Sequence, residues 1–142
     1  MSTDNYYEQA KAQYDPAYNQ KVQNYNNQLA QNHLALDQQK TGINANYDTQ
    51  VQNQQRNNQL VRNSISNQML GRGLANSSIA ISGLEQQNAV NSRLIGQINA
   101  ERTGALNDID AQKALLEQNT NNILAQLAAD RENEIRALAM QL

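Results

Sequence analysis

The sequence contains no cysteine, no phenylalanine and no tryptophan, and it has a single proline. Without cysteine there is no disulfide framework, no thiolate metal site and no thiol nucleophile. The aromatic residues, 4% of the chain, are all tyrosine, and the mean hydropathy of −0.81 is far on the polar side. So few bulky apolar groups cannot build a globular core that offsets the conformational entropy of ordering 142 residues. A formal charge of −2 and a pI near 5.3 leave no basic footprint for specific nucleic-acid binding. The opening residues, Met1 to Glu8, hold no basic stretch leading into an apolar run, so no signal peptide is readable. No window reaches the roughly 18 apolar residues of a membrane span. The expectation is a chain made and kept in solution.

What fills the sequence instead is side-chain amide. Asn and Gln account for 43 residues, while only 17% of the chain is charged. Such a composition leaves two states, disorder or long helices buried along a narrow seam. The spacing of apolar residues favours helices. Tyr14, Tyr25, Leu36, Tyr47 and Met69 are separated by multiples of eleven, as are Tyr7, Tyr18, Leu29 and Val51. Leu94, Ala105, Leu116, Leu127 and Leu138 form an unbroken series at the same step. Eleven residues in three turns is about 3.67 per turn, which predicts a nearly straight or slightly right-handed coil. The alternation that a strand needs is absent.

Breakers set the boundaries. Asp15-Pro16 reads as a helix start, because Asp can cap free amides and proline at the first helical position loses no hydrogen bond. Residues 1–13 then form a flexible or partner-ordered arm, and residues 14–70 a first long helix. In residues 71–78 (Gly-Arg-Gly-Leu-Ala-Asn-Ser-Ser), Gly71 or Gly73 can take the left-handed conformation that ends a helix. Asn76, Ser77 or Ser78 can cap a second helix over residues 79–142. A connection this short predicts antiparallel helices, roughly 80 and 95 Å long at 1.5 Å per residue. The predicted fold is all-α: an elongated antiparallel hairpin with hendecad-like coiled-coil packing.

The packing seam is assigned to Tyr14, Tyr18, Tyr25, Leu29, Leu36, Tyr47, Val51, Leu94, Leu116, Leu127 and Leu138. Polar residues interrupt it: His33, Lys40, Asn44 and Asn58 in the first helix, and Asn91, Arg102 and Lys113 in the second. Buried amides can fix register and oligomeric state, or these stretches can be half exposed and marginal; both readings stand. Pairing about the turn sets Tyr18 near residue 129 and Tyr25 near residue 122. Tyr14, Tyr18, Tyr25 and Leu29 then meet Ile123, Leu124, Leu127, Ile135 and Leu138 in an apolar-rich open end. Gly83, Gly96 and Gly104 each cost up to ~1 kcal/mol inside a helix, so they mark close helix approach or local flexibility.

No catalytic constellation emerges. His33 is the only histidine and has no carboxylate fixed beside it by spacing, which argues against a triad or a histidine metal site. Asp108 and Asp110 fall on different faces of a helix, and Glu132 and Arg136 form a solvated i,i+4 pair. Arg131, Glu132, Glu134 and Arg136 together read as an exposed face. Gly71-Arg72-Gly73 lacks the Lys-Ser/Thr pair and preceding strand of a phosphate loop, so it is a turn. Arg56, Arg62 and Arg72 are too scattered for specific nucleic-acid binding, although contact with packaged DNA stays open. The basic polar face of a membrane-surface helix is missing. The expectation is a non-enzymatic chain without cofactor or metal.

Three features together carry a resemblance: Tyr14-Asp15-Pro16-Ala17-Tyr18, the amide-rich helix with Tyr and Leu at wide intervals, and the tract from Gly71 to Ala80. The chain resembles a loose group of small helical virion proteins encoded among the structural genes of tailed bacteriophages. Such proteins often carry an Arg-Gly-Leu-x-Asn-Ser-type tract between two polar helices. The likeness covers residues 14–142 in pattern and about twenty residues in motif. It implies a multi-copy component of the virion, assembled in the host cytoplasm, near the head–tail junction or inside the head. The implied partners are itself and portal, adaptor or tail components. An internal protein ejected with the genome, a scaffolding protein, and a bacterial filament or surface coiled coil are the alternatives.

Overall fold

The computed structural model describes residues 3–142, with side-chain environments from residue 5 onward. Two helices make up the described chain, α1 (Thr3–Gly71, 69 residues) and α2 (Ser78–Gln141, 64 residues). They pack against each other as a helical hairpin, and no strand occurs among the described residues.

The junction is built by local chemistry. The amide of Leu74 donates to the Met69 carbonyl at 2.7 Å and that of Gly73 to the Leu70 carbonyl at 3.0 Å. This is the paired bonding of a Schellman end, and it needs a left-handed residue, which Gly73 supplies at φ 74°. Of the two candidate glycines, Gly71 therefore stays helical and Gly73 makes the stop. Of the three candidate caps, Ser77 takes the role: its Oγ accepts from the Ala80 amide at 3.2 Å and donates to the Leu74 carbonyl at 2.7 Å. Asn76 is exposed, and Ser78 is the first residue of α2.

The start of α1 departs from expectation. Met1 and Ser2 lie outside the described residues, but residues 3–13, read as an arm, are helical and continuous with the rest of α1. Pro16 sits inside the helix instead of opening it. Its missing N–H and ring clash cost about 3 kcal/mol. Packing upstream opposes that cost. Ala10 is fully buried, and Tyr7 is half-buried and bonded to α2. Tyr7 stands eleven residues before Tyr18, so one face of the helix runs through the proline.

The chain divides into two units, each an antiparallel pair of helix segments. The terminal unit comprises Met1–Asp37 and Asp110–Leu142, and the turn unit Gln38–Ile109. Ala10, Leu36 and Ile135 are buried in the first, Ala80 and Ile109 in the second. Two of those five are alanines, so few large side chains are fully buried among the described residues.

Candidate functional site

In both units polar side chains bridge the two helices beside the apolar seam. In the terminal unit, Arg131 Nε donates to Asp15 Oδ1 at 2.8 Å while its guanidinium lies 5.2 Å from the Tyr18 ring centroid. Only about a quarter of either side chain is exposed (22% and 25%), so the pair is partly shielded from solvent. Tyr7 donates its hydroxyl to Glu132 Oε2 at 2.8 Å, and Glu132 Oε1 accepts from Arg136 Nε at 2.9 Å. Lys113 Nζ donates to Asp37 at 2.7 Å nearer the middle of the chain.

These contacts bias the titrating groups. The hydrogen bond from Arg131 holds the Asp15 carboxyl below its ordinary range and raises the guanidinium in turn. Glu132 is likewise lowered, first by the bond from Tyr7 and then by that from Arg136. The same bond raises the Tyr7 phenol, whose proton it uses.

The turn unit is bridged mainly by amides. Gln54 donates to Asn91 Oδ1 and Gln87 to Asn58 Oδ1, both at 3.3 Å. Gln54 and Asn58 are four apart on α1, as are Gln87 and Asn91 on α2, so the two bonds form successive rungs. Arg102 adds an ion pair to Asp48 at 2.7 Å. An amide pair satisfies both partners without burying net charge.

All eleven seam residues are partly or wholly covered, Leu36 wholly. The interrupting residues His33, Lys40, Asn44, Asn58, Asn91, Arg102 and Lys113 are all half-buried. Asn58, Asn91, Arg102 and Lys113 are paired across the helices, whereas His33 Nε2 and the Nε atoms of Arg62 and Arg102 are covered without a bond. Pairing about the turn holds to within two residues at Tyr18, which meets Arg131, whereas Tyr25 shares a shallow groove with Leu127, five residues beyond the expected position. Ile123, assigned to the apolar open end, is 39% exposed because it lies on the flank of α2, not at the seam. Close helix approach accounts for Gly83, where an added Cβ would stand 3.6 Å from Ile65, but not for Gly96 or Gly104, which face open space.

The charged group around residue 131 is not one exposed face, as its spacing suggests. Arg131 and Glu132 turn inward and bind α1, and only Glu134 and Arg136 are exposed. Asp15, read as a helix cap, is the partner of Arg131. A sequence signal was present for two other pairs: Asp37 and Asp48 are eleven apart, and so are their partners Lys113 and Arg102.

Among the described residues, no group of three or more His, Cys, Asp or Glu is placed to hold a metal ion, and no helix is long and apolar enough to cross a membrane. Searches against protein-family models, curated proteins and solved structures give no match to this chain.

Proposed function

We propose that this chain is a non-enzymatic structural or assembly component of a tailed-phage virion. In this reading several copies pack as helical hairpins around the portal or head–tail axis, or inside the head, against one another and against portal, adaptor or tail proteins. The observation that carries the assembly role is the thin core: among the described residues five apolar side chains are buried, and two of them are alanine.

Large apolar side chains outside the seam, among them Leu34, Leu60, Leu70, Ile79 and Leu115, are more than half exposed, which leaves apolar surface for neighbouring copies. The chain exposes 9730 Å², against about 7,300 Å² for a typical folded monomer of 15.9 kDa. The virion setting rests on the likeness of the Tyr14–Tyr18 segment and the turn tract to phage helical proteins. Seam polarity supports a structural role over catalysis, because the polar side chains are engaged in bridging helices.

Quantitative mass spectrometry of purified virions, before and after genome release, tests the reading. A fixed structural component is present in both samples at constant copy number. Loss upon release marks an ejected internal protein. Presence only in immature particles marks a scaffold, and absence from every particle overturns the virion assignment.

A further inference from the structure

Pro16 weakens α1 at one point without ending it. It has no N–H to offer the Ala12 carbonyl one turn earlier, and its ring crowds that carbonyl. Asp15, as the residue before proline, is itself disfavoured in helical backbone. Two local penalties therefore coincide in a helix that runs from Thr3 to Gly71. Residues 3–15 lie upstream of them, and that segment is no longer than the roughly 12–15 residues at which an isolated helix is marginal in water. Its order comes from α2.

The contacts with α2 divide into a pivot and a catch. The pivot is Arg131, which grips α1 on both sides of the proline. Its Nε donates to Asp15 Oδ1 at 2.8 Å on the upstream side, and its guanidinium lies 5.2 Å from the Tyr18 ring centroid on the downstream side. The catch is Tyr7, whose hydroxyl donates to Glu132 Oε2 at 2.8 Å. Arg136 Nε donates to the other oxygen of that carboxylate at 2.9 Å, which fixes the acceptor.

Apolar cover lies between pivot and catch. Tyr7, Ala10 and Tyr14 follow at steps of three and four, so they share one face of α1. Ala10 is at 0% exposure, and Tyr7 and Tyr14 are half-covered. On α2, Ile135 is also at 0% exposure and stands one turn beyond Arg131 and Glu132, on the face that meets this segment.

We propose that residues 3–15 form a latch that swings off α2 as a unit at Pro16 while the rest of the hairpin stays paired. Opening breaks the Tyr7–Glu132 bond, exposes Ala10, and uncovers the α2 face that carries Glu132 and Ile135. Arg131 keeps its hold on Tyr18, so the pairing beyond the hinge is preserved. Fraying of a uniform helix is graded from the tip inward, whereas the latch opens to a fixed point.

Residue-resolved hydrogen exchange of the full chain, at one protein concentration, tests the hinge. In wild type the amides of residues 7–15 should share one level of protection, roughly tenfold below that of residues 21–37. P16A restores the missing N–H and removes the ring, so residues 7–15 should rise to the level of residues 21–37. Y7F removes the catch, and exchange of residues 7–15 should quicken about threefold or more, with residues 21–37 unchanged. Circular dichroism verifies that both variants remain helical. Protection that climbs evenly through residue 16 or is absent throughout, a step that survives in P16A, or a Y7F loss shared equally by residues 21–37 overturns the latch.

Discussion

The two units use the same backbone architecture but different chemistry across the seam. The terminal unit closes on tyrosines and ions: Tyr7 on Glu132, Arg131 between Asp15 and Tyr18, and Ile135 fully buried. The turn unit closes mainly on neutral amides, with the rungs Gln54–Asn91 and Gln87–Asn58 beside one ion pair, Arg102–Asp48, and takes its order from the Gly73 stop and Ser77 cap. Ionic bridges are directional and respond to pH and salt, whereas amide rungs carry no net charge and no titrating group. Ions and tyrosines thus predominate in one unit. Amide rungs and the local chemistry of the turn predominate in the other, with one ion pair beside them.

Substitutions can break or sharpen this difference. The largest effect is expected at Ile135, the one large side chain among the described residues buried to 0% exposure: Ile135→Ala should destabilise by about 2–5 kcal/mol in urea melts. Hydrogen exchange should place that loss in residues 5–37 and 110–141. If protection falls equally in the turn unit, the two do not respond separately.

Next comes the junction. Gly73→Ala forces a side chain into the left-handed region and should cost about 1–2 kcal/mol, and Ser77→Ala about 1 kcal/mol through the lost cap. Both losses should appear first in exchange of residues 65–85. An undiminished melt for Gly73→Ala would show that the glycine stop is dispensable.

The smallest change is a gain. Gly83→Ala adds helix propensity of about 0.5–1 kcal/mol, and its Cβ meets Ile65 at an ordinary contact distance, so the turn unit should melt later. Destabilisation there would mean that the helices cannot accept even a methyl group.

Acid separates the units without mutation. Asp15 and Glu132 have folded pKa values below their ordinary ones, so their contribution is complete above about pH 4 and is lost as pH falls through the lowered values. Tyr7 has the opposite sign, with its contribution complete below about pH 10 and lost as pH rises through the raised value. Exchange protection at pH 3 relative to pH 6 should therefore fall more in the terminal unit than at the amide rungs. Equal losses would deny the ions any special role.

Much of this arrangement was legible in the sequence, for a physical reason. An eleven-residue step returns a side chain to nearly the same helix face, so Tyr18, Leu29 and Val51, or Leu116 and Leu127, announce one face. The turn was readable because only glycine accepts a left-handed stop and serine caps a helix well. Residues 3–13 were misread because Pro16 is a strong local signal, and the packing of Ala10 and Tyr7 that overrides it involves α2, more than a hundred residues away. The inward turn of Arg131 and Glu132 was hidden likewise, since adjacent charges on a helix resemble a solvated face until the opposite helix supplies Asp15 and Tyr7.

The central claim is that these helices complete their burial by assembling. Circular dichroism over a wide range of protein concentration, with sedimentation equilibrium on the same samples, tests it most directly. Helicity and thermal stability should rise together with the weight-average mass and fall on dilution as the assembly dissociates. A strongly helical monomer that melts cooperatively, with no dependence on concentration, would contradict the account.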